Sequence, residues 1–135
     1  MIDNLLSSIY FLRQVACLST CSNNWVDSTL PSSSFGAAVF PYWDDLYIYP
    51  KTWQGVYFAS QGNAPNRTLT LEYYTSQYGS PTQYYHFQVI FFEASPNIVR
   101  FIYFNAFNNG STATIGIQGN ISTMHIFVFS FSIRC

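Results

Sequence analysis

Few side chains in this sequence can do chemistry. Asp44 and Asp45 are the only adjacent carboxylates, and they follow Phe40-Pro41-Tyr42-Trp43 at what reads as a strand end. Paired acids in a loop suit a hard cation such as Ca²⁺, with Asn or backbone carbonyls completing an oxygen shell. Neighbouring strand residues point to opposite faces, however, and no Asp-x-Asp-x-Asp-Gly pattern accompanies the pair. The preferred reading is a turn capped by one carboxylate, with Ca²⁺ the weaker alternative and no other cofactor expected. Glu72 and Glu93 could each formally join a glycosidase pair, but nothing selects them, and protecting a sheet edge is the simpler role. His86 and His125 lie in no nucleophile context, since the chain has neither Gly-x-Ser-x-Gly nor Cys-Gly-x-Cys. No catalytic residue is assigned, and the chain is expected not to be an enzyme.

Cys17, Cys21 and Cys135 are an odd set. One disulfide at most forms within the chain, three pairings are open, and one thiol stays free or joins another chain. A zinc site would need a distant His86 or His125 as fourth ligand, so metal binding by this set is disfavoured. Asn66-Arg67-Thr68, Asn109-Gly110-Ser111 and Asn120-Ile121-Ser122 match the N-glycosylation acceptor. Accident of composition accounts for such triplets equally well, although two of the three sit in turn-like contexts where an acceptor is accessible.

Aromatic rings supply 20% of the residues, more than a core of this size easily buries. Exposed Tyr and Trp suit protein interfaces and carbohydrate platforms, because they offer area at low entropy cost and keep a polar tip. Tyr73, Tyr74, Tyr78 and Tyr84 are the expected contact surface. Trp43 and Trp53, in apolar stretches, are assigned to the core. A glycan-binding role would further need amides such as Gln77, Gln83 or Asn108 beside the rings.

The elements that must position these residues are strands. The 135-residue chain is one domain by length; its 49% hydrophobic content excludes disorder, and a net charge of -1 gives no cationic field for nucleic acid or anionic lipid. From Ser32 onward, runs of five to ten residues are broken by Gly, Pro, Asn and Ser clusters, as in an all-β sandwich or barrel. In Arg67 to Tyr74, Leu69, Leu71 and Tyr73 share one face; in Gln83 to Glu93, Tyr85, Phe87, Val89 and Phe91 do so. Ala94-Ser95-Pro96-Asn97 then reads as a hairpin loop into Ile98 to Phe104. Thr112 to Gln118 and His125 to Ile133 complete an antiparallel two-sheet sandwich. The predicted core is Leu69, Leu71, Phe87, Val89, Phe91, Val99, Phe101, Ile115 and Ile117.

Residues 1–22 are set apart as an N-terminal segment, with the sandwich at 23–135. Leu5 to Leu18 is apolar, but Asp3 and Arg13 fit neither an ordinary signal peptide nor a membrane span. The single lysine, Lys51, leaves sheet edges without their usual blocking charge. The segment is therefore expected to cover an edge, within the chain or in a neighbouring copy.

Ala38-Val39-Phe40-Pro41-Tyr42-Trp43-Asp44-Asp45-Leu46 and Gly55-Val56-Tyr57-Phe58 resemble the signature of nidogen-like (NIDO-type) domains. Gly62-Asn63-Ala64-Pro65-Asn66-Arg67, Phe87 to Glu93 and Thr112 to Gln118 continue the resemblance in order, covering about Asn24 to Gln118. The family's first strands have no counterpart in Met1 to Ser22. The resemblance, shared with modules of secreted bacterial and fungal surface proteins, implies an extracellular, non-enzymatic β-sandwich with no catalytic residue to carry over. The expected function is adhesion or structural interaction at a cell surface or in a matrix, by binding a protein or glycan or by assembling into oligomers or fibres. A carbohydrate-binding module is the alternative and a hydrolase the remaining one.

Overall fold

The computed structural model describes residues 10–11, 14–119 and 127–131. Among the described residues ten strands run in chain order: β1 Tyr10–Phe11, β2 Ala16–Cys17, β3 Ala38–Trp43, β4 Leu46–Tyr47, β5 Gly55–Gln61, β6 Thr68–Gln77, β7 Ser80–Phe92, β8 Ser95–Ala106, β9 Thr114–Gln118 and β10 Phe127–Phe131. They form a sandwich of a four-stranded sheet, ordered β1-β2-β3-β9, and a six-stranded sheet, ordered β10-β8-β7-β6-β4, in which β5 also pairs with β6. All ladders are antiparallel except β10 with β8. That exception to the expected antiparallel sandwich follows from connectivity. The chain leaves β8, crosses to the small sheet as β9, and returns to the large sheet as β10 in the same direction it left.

The core sits where period-two alternation puts it. Leu69, Leu71 and Tyr73 of β6, Phe87, Val89 and Phe91 of β7, and Val99, Phe101 and Tyr103 of β8 face inward and are buried. Ala16, Val39 and Tyr42 of the small sheet, with Leu46, close over them, and Ile115 and Ile117 pack on as half-buried neighbours. The β6–β7 hairpin turns tightly through Tyr78 and Gly79, the latter at φ +76°. Gly62 at φ +86° opens the turn that delivers Arg67 to Glu93. There the guanidinium makes a two-pronged bond, Nε to Oε2 at 2.9 Å and Nη2 to Oε1 at 2.6 Å, while the Glu93 amide donates to the Arg67 carbonyl. Glu93 is thus a buried, paired carboxylate, not an edge-protecting one. Removing one partner of such a pair strands a buried charge, at a cost of about 3–5 kcal/mol.

β3 is buried on both sides. Between Phe40 and Trp43 its register with β9 shifts, so that Pro41 and Tyr42 face the single residue Ile115. This bulge suits a proline, which has no N–H for the ladder. It also lets Tyr42 point to the inter-sheet core while Phe40 and Trp43 point to the opposite face. On that face a second cluster of Val15, Cys17, Phe35, Ala38, Phe40 and Trp43 is roofed by the irregular segment 18–36. β9 fastens the roof through its outward side chains. Thr114 donates to Asp27 and to the Ser28 carbonyl; the Gln118 amide grips Ser32 and Phe35 from both its ends; and Gly116 lets Leu30 approach to where a Cβ would stand 2.7 Å away.

One expectation is corrected here, and one of the three open cysteine pairings is selected. The domain does not begin at residue 23, because Val15, Ala16 and Cys17 are fully buried and β2 pairs with β3. Cys17 and Cys21 form a disulfide, which starts the roof segment; Cys135 lies outside the described residues, as do 1–9 of the N-terminal segment.

Candidate functional site: an aromatic cleft on the outer face of the large sheet

The residues of the Phe40 to Asp45 signature are consumed by architecture. The Pro41 carbonyl accepts from Tyr103 at 2.6 Å, the Tyr42 hydroxyl donates to Asn108, and the Trp43 indole donates to the Asn24 carbonyl at 2.9 Å. Asp44 is buried, with Oδ1 accepting from the Asp45 amide at 2.7 Å and Oδ2 from the Thr112 hydroxyl at 2.6 Å. It therefore caps the β3–β4 turn and ties it to the 107–112 turn, while the Asp45 carbonyl accepts from the Tyr78 amide. Among the described residues, no three His, Cys, Asp or Glu side chains converge as metal ligands.

What these contacts leave available is the outer face of the large sheet. On it Tyr57 of β5, Glu72 of β6 and Gln88 of β7 form one cross-strand row, and Gly55, Tyr74 and His86 the next. Trp53, Tyr57, Glu72, Tyr74 and His86 line an open cleft of about 490 Å³. His86 Nε2 lies 2.5 Å from Glu72 Oε1, with both side chains partly exposed. Since a carboxylate only accepts, Nε2 carries the proton of that bond. The imidazole is braced by rings on either side, edge-on to Tyr74 at 5.4 Å and against Phe104 at 4.6 Å, and Tyr74 in turn stacks on Tyr84.

Trp53 is 87% exposed, yet its backbone is closely held. The 49–54 turn is closed by Thr52 donating to the Tyr49 carbonyl, by Gln54 Oε1 accepting from the Tyr49 amide, and by Gln54 Nε2 reaching Ser76 of β6 at 2.7 Å. The Tyr57 hydroxyl donates to the Trp53 carbonyl at 2.7 Å. Its ring lies across Gly55, where a Cβ would stand 3.1 Å from it, so glycine is needed for the Tyr57 ring to lie there. The turn presents the indole to solvent on a fixed base.

The expected contact tyrosines divide accordingly. Tyr74, Tyr78 and Tyr84 are on the surface, Tyr78 at the hairpin tip and 61% exposed. Tyr73 is not: it is fully buried, stacked on Phe87 at 4.8 Å, because it shares the inward parity of Leu69 and Leu71. Trp53 is corrected in the opposite sense, from core to surface. Of the amides expected beside these rings, Gln77 and Asn108 are engaged elsewhere, Gln77 by the Tyr85 hydroxyl and Asn108 by Tyr42 and Thr112. Glu72 and His86 were missed as a pair. Their diagonal placement across β6 and β7 depends on hairpin register, which the Tyr78-Gly79 turn signals only once its length is known. Of the acceptor asparagines, Asn66 and Asn109 are exposed in turns, and Asn120 lies outside the described residues.

Among the described residues no helix is long and apolar enough to cross a membrane. A family model described as NIDO related matches residues 14–130. No curated protein and no solved structure matches the sequence.

Proposed function

The chain belongs to the NIDO-related family, and from that premise we propose that it is a secreted or cell-surface module that acts by binding, through the aromatic cleft, with no catalytic step. The observation that carries this reading is Trp53, an indole turned out to water while its backbone is fixed by four side-chain hydrogen bonds within and around its turn. Large rigid aromatics held ready in this way bind with little ordering cost. The Cys17–Cys21 disulfide supports an oxidising compartment. Among the described residues a single carboxylate, Glu72, lines the cleft, and its near neighbour is an imidazole, whereas glycoside hydrolysis ordinarily uses two carboxyl groups. Trp53→Ala should leave unfolding unchanged within about 0.5 kcal/mol. The same variant should lower retention of the purified chain on a film of extracellular matrix by at least about tenfold, the effect of losing one aromatic anchor. Equal retention of Trp53→Ala and the parent would remove the cleft as the contact surface.

Self-assembly is a second reading, favoured by β5. Among the described residues this strand pairs with β6 alone, carries no charge, and exposes Phe58. An uncharged edge of seven residues is a template for a second copy. Light scattering should then give at least twice the monomer mass, and Phe58→Lys should restore the monomer. A monomeric parent at high concentration would end this reading.

A further inference from the structure

The cleft has a definite inventory of recognition groups. With His86 Nε2–H donating to Glu72 Oε1, Glu72 Oε2 and His86 Nδ1 are left as acceptors, and Gln88 stands directly across the ladder from Glu72. Trp53 and Tyr57 offer ring faces on the same side of the sheet. A volume of about 490 Å³ is of the size that holds a small organic ligand. No lysine or arginine is among the lining residues, and Arg100, one same-face rung beyond the Glu72 row, is held over the Phe92 ring at 5.2 Å. An anionic ligand would therefore meet a carboxylate without a cationic partner. An apolar ligand would cover these two partly exposed acceptors without satisfying them, at a cost that disfavours it. The ligand that satisfies the inventory has one flat C–H face for the indole and several hydroxyl donors on its rim.

We propose that this cleft binds a neutral hexose or N-acetylhexosamine ring, its C–H face stacked on Trp53 and two of its hydroxyls donating to Glu72 Oε2 and His86 Nδ1. The proposal rests on the binding role of the cleft and names its ligand class. Trp53 supplies most of the contact area, Tyr57 sets the base on which Trp53 stands, and the Glu72–His86 pair fixes the ring's orientation. Quaternary ammonium groups also seek aromatic rings beside a carboxylate. They have no use, however, for the second acceptor on His86 or for the amide of Gln88, and the cleft is open where a cage would enclose the cation.

Lactose, cellobiose and N,N′-diacetylchitobiose, each titrated into the full ¹⁵N-labelled chain, test this directly, with choline and sialic acid run beside them. At least one neutral disaccharide should move the Trp53 indole N–H resonance with a dissociation constant of about 1 mM. Trp53→Ala should abolish binding, and Glu72→Ala should weaken it about tenfold while the amide spectrum stays folded. Absence of any shift up to saturating disaccharide overturns the proposal, and so does a response to choline or sialic acid alone. Matrix retention that depends on Trp53 but survives enzymatic removal of the matrix glycans would also overturn it, while leaving the binding role of the cleft intact.

Discussion

Phe87→Ala is expected to lower the unfolding free energy by about 3–5 kcal/mol, enough to populate unfolded chain in a domain of ordinary stability. Phe87 is fully buried at the middle of β7 and is the ring around which the others are arranged. Tyr73 stacks on it at 4.8 Å, Tyr42 reaches it from the small sheet at 5.8 Å, and Tyr103 flanks it at 6.0 Å. Its removal opens a cavity between two sheets whose backbones are fixed by ladders, so the surroundings cannot close over it. Phe107→Ala, at a site 56% exposed in the 107–110 turn, is the matched control and should stay within about 0.5 kcal/mol. Urea midpoints of the two variants check this, and similar small shifts in both would mean that the interface between the sheets is not the source of stability.

That Phe87 lies inside was legible from the sequence, because a strand with polar residues on one parity and apolar on the other declares its inner face. The same alternation carried β6 and β8, whereas the hairpin between β7 and β8 turns at Glu93 and Ala94 and not over the expected Ala94 to Asn97, because Ser95 already pairs with Phe92 at the start of β8. It also held the answer for Tyr73, which has the parity of Leu69 and Leu71. Counting aromatics against core volume placed it outside instead, and parity is the stronger argument because it is local and geometric. Trp53 failed for the complementary reason. It lies outside any alternating run, in a turn held by Thr52, Gln54 and Tyr57, and an apolar residue type says nothing about direction once the period is lost. The roof over β3 was illegible altogether: segment 18–36 has no period, and what places it are the outward side chains of β9, eighty and more residues away in sequence. In β9 the inward Ile115 and Ile117 were read, while nothing in the types of the outward Thr114, Gly116 and Gln118 marks them as the anchors of the roof. The candidate cleft shares this limitation, since it joins a turn to two strands through register.

Raising the pH should unfold the protein more steeply than its few charges suggest. Burial pushes the hydroxyls of Tyr42, Tyr73 and Tyr103 above their ordinary value of 10.0, with Tyr85 and Asp44 adding to the effect at Tyr42 and Tyr42 adding to it at Tyr103. Tyr85 moves the same way, through burial and then Asp44. All four rings are nearly or fully inaccessible to water. Above about pH 10 the unfolded chain releases these protons while the folded chain keeps them, so the folded state binds more protons and stability falls as pH rises. The stabilising contribution is complete below the unfolded value and is lost toward the raised folded values. Each group removes about 1.4 kcal/mol per pH unit once past that point, so the three most strongly raised, Tyr42, Tyr73 and Tyr103, together remove about 4 kcal/mol per unit, and Tyr85 adds to this in the same direction. A domain of ordinary stability should then begin to unfold above about pH 11. Tyrosinate absorbance and circular dichroism followed on the same samples should show these tyrosines ionising only as the strands are lost. Tyr73→Phe sharpens the test, because the Tyr73 hydroxyl is buried with no hydrogen-bond partner. Its removal should raise stability at neutral pH by about 1 kcal/mol and take about a quarter from the alkaline slope. Full ionisation of all eleven tyrosines with the fold intact would show that the inter-sheet core is open to water.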